Sequence, residues 1–321
     1  MNVTHNEAWK ILNDSDDILL LTHRAPDGDA VGSLCALYRV LAALGKNVRF
    51  ILDSVSRELI FLTENLECGD FEPKCVVTVD VGDKKLLGEE LEAEYGDRVL
   101  LNIDHHATNV LFAENTLLDP VAAAASEVLF DMFTSNGAEI TKDIAMALYV
   151  GISTDTGCFR YGNTTPKTMR AAASLMDTGI DTATVNSDIF DTKTKEYFAL
   201  EAMAMNSIKM HFDGKCALLL LTKDMYRRAN IAENETQGIN ALPRQIAGVV
   251  VGITIKEREG GNYRISIRTR EPVDASEICA LLGGGGHRQA AGCELTANPR
   301  TVISTVLKYT EEALREKGLI Q

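Results

Sequence analysis

The run Val99-Leu100-Leu101-Asn102-Ile103 has strand character and ends in Asp104, His105 and His106. Three other apolar runs end in the same kinds of side chain. Leu19-Leu20-Leu21-Thr22 leads into His23, Asp27 and Asp29, Cys75-Val76-Val77-Thr78-Val79 delivers Asp80, and Ala147-Leu148-Tyr149-Val150-Gly151-Ile152 runs toward Asp155. Strand side chains alternate faces, so adjacent histidines at a strand end should point apart and take different tasks. Singly, each stretch has a plainer account. Asp27 and Asp29 make an acidic turn that caps the next helix, and Asp104-His105-His106 tops a strand at the surface. Together, His23, Asp27, Asp29, Asp80, His105 and Asp155 are four carboxylates and two imidazoles, too much like charge to crowd without counter-ions. Two divalent cations would balance the four negative charges. Oxygen donors with some imidazole and no thiolate suit manganese or magnesium better than structural zinc. Asp80, alone on its strand, is the natural bridge, and two ions sharing a carboxylate are an apparatus for cleaving phosphoesters. No GxSxG nucleophile elbow occurs, and Ser33 reads as a packing residue.

These residues need elements to position them. Helical periodicity covers 3–14, 30–44, 57–62 and 86–95, with strands over 17–23, 48–52, 74–81 and 98–104. Strands and helices alternate, and the strands are continuously apolar, which predicts a parallel sheet covered on both faces. Helices follow over 123–136, 142–152, 166–178 and 193–208, with Thr154-Asp155-Thr156-Gly157 interrupting the second at its end. Beyond residue 210 the pattern turns strand-rich, with strands over 216–221, 248–256 and 262–270 and helices over 223–230, 275–282 and 299–317. The fold class is therefore α/β: a parallel-sheet domain over 1–190, a helical linker over 191–210, and a smaller mixed-sheet domain over 211–321. Ligands of open α/β sheets sit at the carboxyl ends of strands, which places the active site in the cleft facing the second domain.

The 321 residues carry a net charge of −14, which argues against coating long nucleic acid but not against a small anionic substrate. The N-terminal residues lack a signal-peptide pattern, and no apolar run approaches a membrane span. Seven cysteines without a CxxC pair read as buried free thiols in a reducing cytoplasm.

The second domain reads as a phosphate grip. Gly283, Gly284, Gly285 and Gly286 precede His287 and Arg288, so backbone N–H groups could approach an anion closely. The plainer account is a turn before a strand. On the strand over 262–270, Arg264, Ser266, Arg268 and Arg270 share one face and Ile265 and Ile267 the other. Arginine suits forked phosphate contacts, which ranks Arg268 first and Arg264 next. Asn240, Arg244 and Arg160 are further candidates, and Tyr161 either stacks on a base or is buried.

The segments His23-Arg24-Ala25-Pro26-Asp27-Gly28-Asp29-Ala30, Val79-Asp80, Asp104-His105-His106-Ala107-Thr108-Asn109 and Thr154-Asp155-Thr156-Gly157 resemble the four ordered motifs of the DHH phosphoesterase superfamily. The run from Gly283 to Gly292 resembles the glycine-rich signature of its DHH-associated C-terminal domain. The length, the layout and Gly238-Ile239-Asn240-Ala241-Leu242-Pro243-Arg244 are similar to the stand-alone oligoribonucleases that also dephosphorylate 3′-phosphoadenosine 5′-phosphate (pAp). The resemblance implies one ion held by His23, Asp27 and Asp80 and another by Asp29, Asp80, His105 and Asp155. His106 would stabilise or protonate the leaving oxygen, and Asp104 would orient a histidine. It also implies two divalent cations (manganese, with magnesium or cobalt as alternatives) and a cytoplasmic homodimer, which no residue pattern marks. Short RNA and pAp would be the substrates, without long duplexes or membranes as partners. Four rivals share part of this pattern: a cyclic di-AMP or pApA phosphodiesterase, a family II pyrophosphatase, a longer RecJ-like exonuclease, and a non-catalytic nucleotide sensor.

Overall fold

The computed structural model describes residues 1–321 except 54, 68, 234, 235 and 237. The described residues divide into two compact units, Met1–Thr192 and Lys193–Gln321.

In the first unit β1 (Ile18–Leu21), β2 (Val48–Ile51), β3 (Cys75–Val79), β4 (Val99–Asp104) and β5 (Asn115–Leu118) form an all-parallel sheet in the order β2-β1-β3-β4-β5. Every residue of β1 and β3 is buried, which is why their sequences are apolar without alternation. Successive residues nevertheless serve different faces: Ile18 and Leu20 join the larger core, Leu19 and Leu21 the smaller one. Helices α1 (His5–Asp14), α2 (Gly28–Ala43), α3 (Ile60–Thr63), α4 (Glu89–Tyr95), α5 (Ala125–Ser135), α6 (Lys142–Asp155), α7 (Pro166–Met176) and α8 (Thr182–Asn186) complete the unit. A capping box between Thr4 and Glu7 opens α1, whose Trp9 packs edge-on against Phe133 of α5. α2 is buried on almost every side and packs closely on α6. At Gly32 a Cβ would run into the Ala147 carbonyl, so glycine permits the approach.

The second unit carries a six-stranded mixed sheet in the order β10-β11-β9-β8-β7-β6. Its strands are β6 (Lys209–His211), β7 (Cys216–Leu221), β8 (Val251–Glu257), β9 (Asn262–Thr269), β10 (Gly285–His287) and β11 (Ala290–Thr296), and only β7 and β8 pair in parallel. One face packs on α12 (Ala275–Leu281) and α13 (Pro299–Glu316), whose Val302, Val306 and Leu314 make a buried stripe at helical spacing. Near β7 the other face packs on α9 (Lys195–Ser207) and α10 (Lys223–Ala229), followed by the short α11 (Leu242–Gln245).

Several expectations change. β5, β6, β10 and β11 were not expected as strands. Thr154 and Asp155 do not interrupt α6 but close it: the helix runs on to Asp155, and the Thr154 hydroxyl donates back to the Val150 carbonyl. Six cysteines are free thiols, all buried but the half-buried Cys158, and Cys68 lies outside the described residues. Among the described residues no helix is long and apolar enough to cross a membrane.

Candidate metal centre

The topology explains where the charged residues gather. Strand order reverses between β1 and β3, and such a switch point opens a crevice at the carboxyl ends of the strands. His23 and Asp27 follow β1, Asp80 follows β3, Asp104 ends β4, and His105 and His106 come next. Asp80 has φ 58°, a left-handed conformation that an L-residue adopts at a cost of about 1–2 kcal/mol. Its N–H donates to the Ile103 carbonyl at 2.9 Å, which holds the turn.

Asp27 caps the next helix and also stands in the cluster. Its Oδ1 caps α2 by accepting the N–H groups of Asp29 and Ala30 at 3.1 Å, and it also lies 3.9 Å from His23 Nε2. Asp29 is only 1% exposed. Its Oδ2 accepts Ala125 N–H at 2.6 Å, and its Oδ1 accepts Ser126 N–H at 3.0 Å, so the start of α5 points at the carboxylate. Ser33 is not mere packing: its hydroxyl donates to Asp29 Oδ1 at 3.1 Å and pairs with Ser126 at 2.8 Å. Gly151 of α6 lies against this group, and a Cβ there would strike Ser126 and Asp29.

Among the described residues three groups of donors meet at Asp80, one of them with the Asp104–His106 pair. His23 Nε2 lies 3.7 Å from Asp80 Oδ2, and with Asp27 these make the first group. His105 Nε2 lies 3.9 Å from Asp29 Oδ2 and 3.6 Å from Asp80 Oδ1, which makes the second, and Asp155 Oδ2 lies 3.4 Å from the same nitrogen. Both histidines are oriented by a backbone carbonyl. His23 Nδ1 faces the Arg24 carbonyl at 3.1 Å and His105 Nδ1 the Ala122 carbonyl at 3.2 Å. A carbonyl can only accept, so each Nδ1 carries a proton, and in the neutral ring Nε2 is the nitrogen left with a lone pair toward the cluster.

The two adjacent histidines do take different partners, but they do not point apart. Both lie beyond the last residue of β4, where strand alternation no longer applies, and their rings sit 4.7 Å apart, tilted by 58°. His106 Nδ1 donates to Asp104 Oδ1 at 2.7 Å, and Asn109 donates to Asp104 Oδ2 at 2.6 Å.

The electrostatics record the crowding. Burial and the neighbouring Asp80 charge push Asp29 up to about 6. Burial, with the charges of Asp29, Asp27 and Asp80, raises Asp155 well above the carboxylate range. Burial favours neutral His23, yet Asp27 and Asp80 outweigh it and lift the imidazole to about 11. Burial likewise opposes charge on His106, and bonding to Asp104 with the Asp80 charge raises it. Burial would lift Asp104 too, but His106 and Asn109 hold it below its ordinary value.

Divalent cations fit this donor set. Asp80 Oδ1 is buried with no hydrogen-bond donor, at the point where the groups meet. Unmatched carboxylates there favour a bound cation. The groups around Asp80 offer oxygen and imidazole nitrogen and no sulfur.

In the second unit the glycine run is half loop, half strand. Gly283 has φ 79°, and Gly284 N–H donates to the Cys279 carbonyl at 2.8 Å. Gly285 and Gly286 then pair with Gly292 and Ala291, and His287 is exposed at the end of β10. Arg288 is held by Glu271 at 3.0 Å. β9 alternates as expected, with Ile265 and Ile267 in the core and, on the other face, Arg264 exposed, Ser266 buried and Arg268 half-buried. Buried Asn240 Oδ1 and Arg244 Nε have no hydrogen-bond partner. In the first unit Arg160 is tied to the Gly157 carbonyl at 2.6 Å, and Tyr161 is exposed beside it.

Sequence reading missed Ser126, Asn163 and Lys256. Asn163 donates to the carbonyls of Ala123 and Asp155, joining two segments of the cluster. Lys256 shares the sheet face of Arg264, which sits directly opposite it on β9. It is 7% exposed, donates to Thr236 at 3.0 Å, and is pushed down to about 8 by burial and by nearby guanidinium groups. No local pattern marks these three. Asn109 stood inside a quoted motif without a role.

Comparison with known proteins agrees with this architecture. Residues 17–152 match the DHH family, N-terminal domain, and residues 219–316 the DHHA1 domain. The chain is 37% identical over 310 residues to the bifunctional oligoribonuclease and PAP phosphatase NrnA of Thermus thermophilus, covering 94% of this chain and 92% of that protein. It is 24% identical over 287 residues to NrnA of Bacillus subtilis, covering 87% and 90%. An exopolyphosphatase-related protein from Bacteroides fragilis superposes with a TM-score of 0.85 at 23% identity, over 97% of this chain and 96% of that one, a likeness of fold.

Proposed function

The chain belongs to the DHH family of phosphoesterases, and from that premise we propose that it degrades short oligoribonucleotides to mononucleotides and converts pAp to AMP. The observation that carries the reading is the meeting of carboxylate–imidazole groups at Asp80, on a chain that matches the Thermus relative along nearly its whole length. We assign His23, Asp27 and Asp80 to one divalent cation and Asp29, Asp80, His105 and Asp155 to a second, with manganese the ion best suited to these donors. When bound, such ions supply Lewis acidity and hydroxide at neutral pH for attack on phosphorus.

The protein's own groups do the rest. Asp104 holds the Nδ1–H of His106, which leaves Nε2 as the atom that gives a proton to the departing ribose oxygen. Backbone N–H groups of Ala125 and Ser126 keep Asp29 turned toward His105. The carbonyls of Arg24 and Ala122 fix the tautomers of His23 and His105. We further propose that Gly284, Gly285, Gly286, His287, Arg268, Arg264 and Ser266 of the second unit contact substrate phosphate and ribose, with Asn240, Arg244 and Arg160 in supporting contacts.

The test is turnover of short RNAs, pAp, pApA, cyclic di-AMP and pyrophosphate, each with manganese and with chelator. Chelator-sensitive release of mononucleotides from RNA, with pAp also cleaved, is the expected result. Preference for cyclic di-AMP or pApA would replace the substrate. No turnover by protein that holds two metals would overturn the reading.

A further inference from the structure

Asp104 is fully buried, and both its oxygens are engaged, Oδ1 by His106 and Oδ2 by Asn109. The Asn109 amide cannot be reversed. Its Oδ1 accepts the Leu111 N–H at 2.7 Å, so Nδ2 is the end that faces Asp104 and, at 3.3 Å, the Val81 carbonyl. That carbonyl already receives a better bond, at 3.0 Å, from Asn102, whose own amide is fixed by the Thr78 hydroxyl. Asn109 is therefore not needed to satisfy Val81. Its distinctive partner is Asp104.

His106 has a second carboxylate within reach. Asp80 Oδ1 lies 3.5 Å from His106 Nδ1 and has no hydrogen-bond donor. A carboxylate turns freely about its terminal bond unless both oxygens are held. We propose that Asn109 is a positioning residue. It clamps Asp104 so that His106 stays on Asp104, keeps Nε2 toward the leaving oxygen, and does not compete for Asp80. The inference rests on the assignment of His106 as the acid.

The test uses full-length Asn109→Leu, close in size and without donor or acceptor, with saturating manganese. Two kinds of substrate separate the roles. Short RNA and pAp release a ribose hydroxyl that needs a proton, whereas bis(p-nitrophenyl) phosphate releases a phenolate that does not. The expected loss in kcat is about 10–100-fold on RNA and pAp, with KM and bound manganese unchanged, and under about threefold on the aryl ester. In a His106→Ala background Asn109→Leu should have no further effect on RNA, because the two act as a unit. Equal losses on both kinds of substrate, additive losses with His106→Ala, or wild-type kcat on RNA would each overturn the clamp. Wild-type protein that cleaves pAp but not RNA would fault the RNA reading instead, and the clamp would still be read on pAp.

Discussion

Removing divalent cations should make the stability of the first unit fall as pH rises, while the manganese-loaded protein should not show this loss. Asp29 is 1% exposed, and its carboxyl sits at about 6 in the folded chain against 3.8 for the free group. Between those values the folded chain holds a proton that the unfolded chain has released. Stability therefore declines with rising pH across that window. The gap of 2.2 (6 − 3.8) corresponds to about 3 kcal/mol by neutral pH, at ~1.4 kcal/mol per pH unit. Asp155, also raised, acts in the same direction. His23 extends the decline. Its charged form stabilises the fold fully below 6.5, and that contribution is lost as pH climbs toward about 11. Asp27 has the opposite sign, since a carboxyl at about 2 contributes above 3.8 and loses that contribution only in stronger acid. Bound cations replace these protons and bind better as pH rises, and an excess of ~100 times Kd adds about 2.7 kcal/mol per site. The assay is calorimetric melting between about pH 4.5 and 7.5, with chelator or with manganese. The metal-free transition should drop by roughly 6–12 °C across that range. A flat or rising metal-free profile would refute the crowded-carboxylate account.

Asp80→Ala should abolish turnover and leave the protein short of both cations by elemental analysis, and substantial residual activity would sink the shared-ligand assignment. His287→Ala should raise KM for short RNA roughly tenfold or more with manganese content intact, and loss of metal would contradict a substrate role. Lys256→Met should stabilise the second unit at pH 7. The amine sits at about 8 against 10.5 unfolded, so its burial penalty is complete below pH 8 and relieved as pH rises to 10.5. The gap of 2.5 (10.5 − 8) is about 3 kcal/mol, less ~1 kcal/mol for the lost Thr236 bond, and urea melts should show a gain of about 2 kcal/mol that fades near pH 10. A variant less stable than wild type at pH 7 would count against that reasoning.

What the sequence made legible follows from burial. β1, β3 and β4 are covered on both faces, so they read as mainly apolar runs, with Thr78 and Asn102 paired to each other inside, that end in the charged residues of the site. β5 escaped because Asn115 and Thr116 interrupt its apolar character, yet Asn115 is satisfied by the Leu100 carbonyl inside the sheet. β10 escaped because Gly285 and Gly286 have no side chains to show a pattern, and only pairing with β11 makes them a strand. The metal-type donors were visible as residue types at element ends. The groups that aim them were not. The Ala122 carbonyl, the Ala125 and Ser126 N–H groups and Asn163 act through tertiary contact, the Arg24 carbonyl acts from the residue beside His23, and backbone groups leave no trace in side-chain chemistry.

The cluster also has an order in time, because its donors are spread along the chain. His23, Asp27 and Asp80 follow β1 and β3, so these donors are all synthesised within the first 80 residues, although the Ile103 carbonyl that holds the Asp80 turn comes only with β4. The corner around Asp29 and His105 waits for the start of α5, and Asp155 is the last residue of α6. At synthesis rates of ~5–20 residues per second, the 75 residues between Asp80 and Asp155 (155 − 80) take roughly 4–15 s to emerge. A nascent chain therefore carries the donors of one corner before the last donor of the other exists. Truncated products that stop short of α6 carry His23, Asp27 and Asp80 but lack both Asp155 and the helix that covers α2, so an early stall releases a chain with an incomplete cluster.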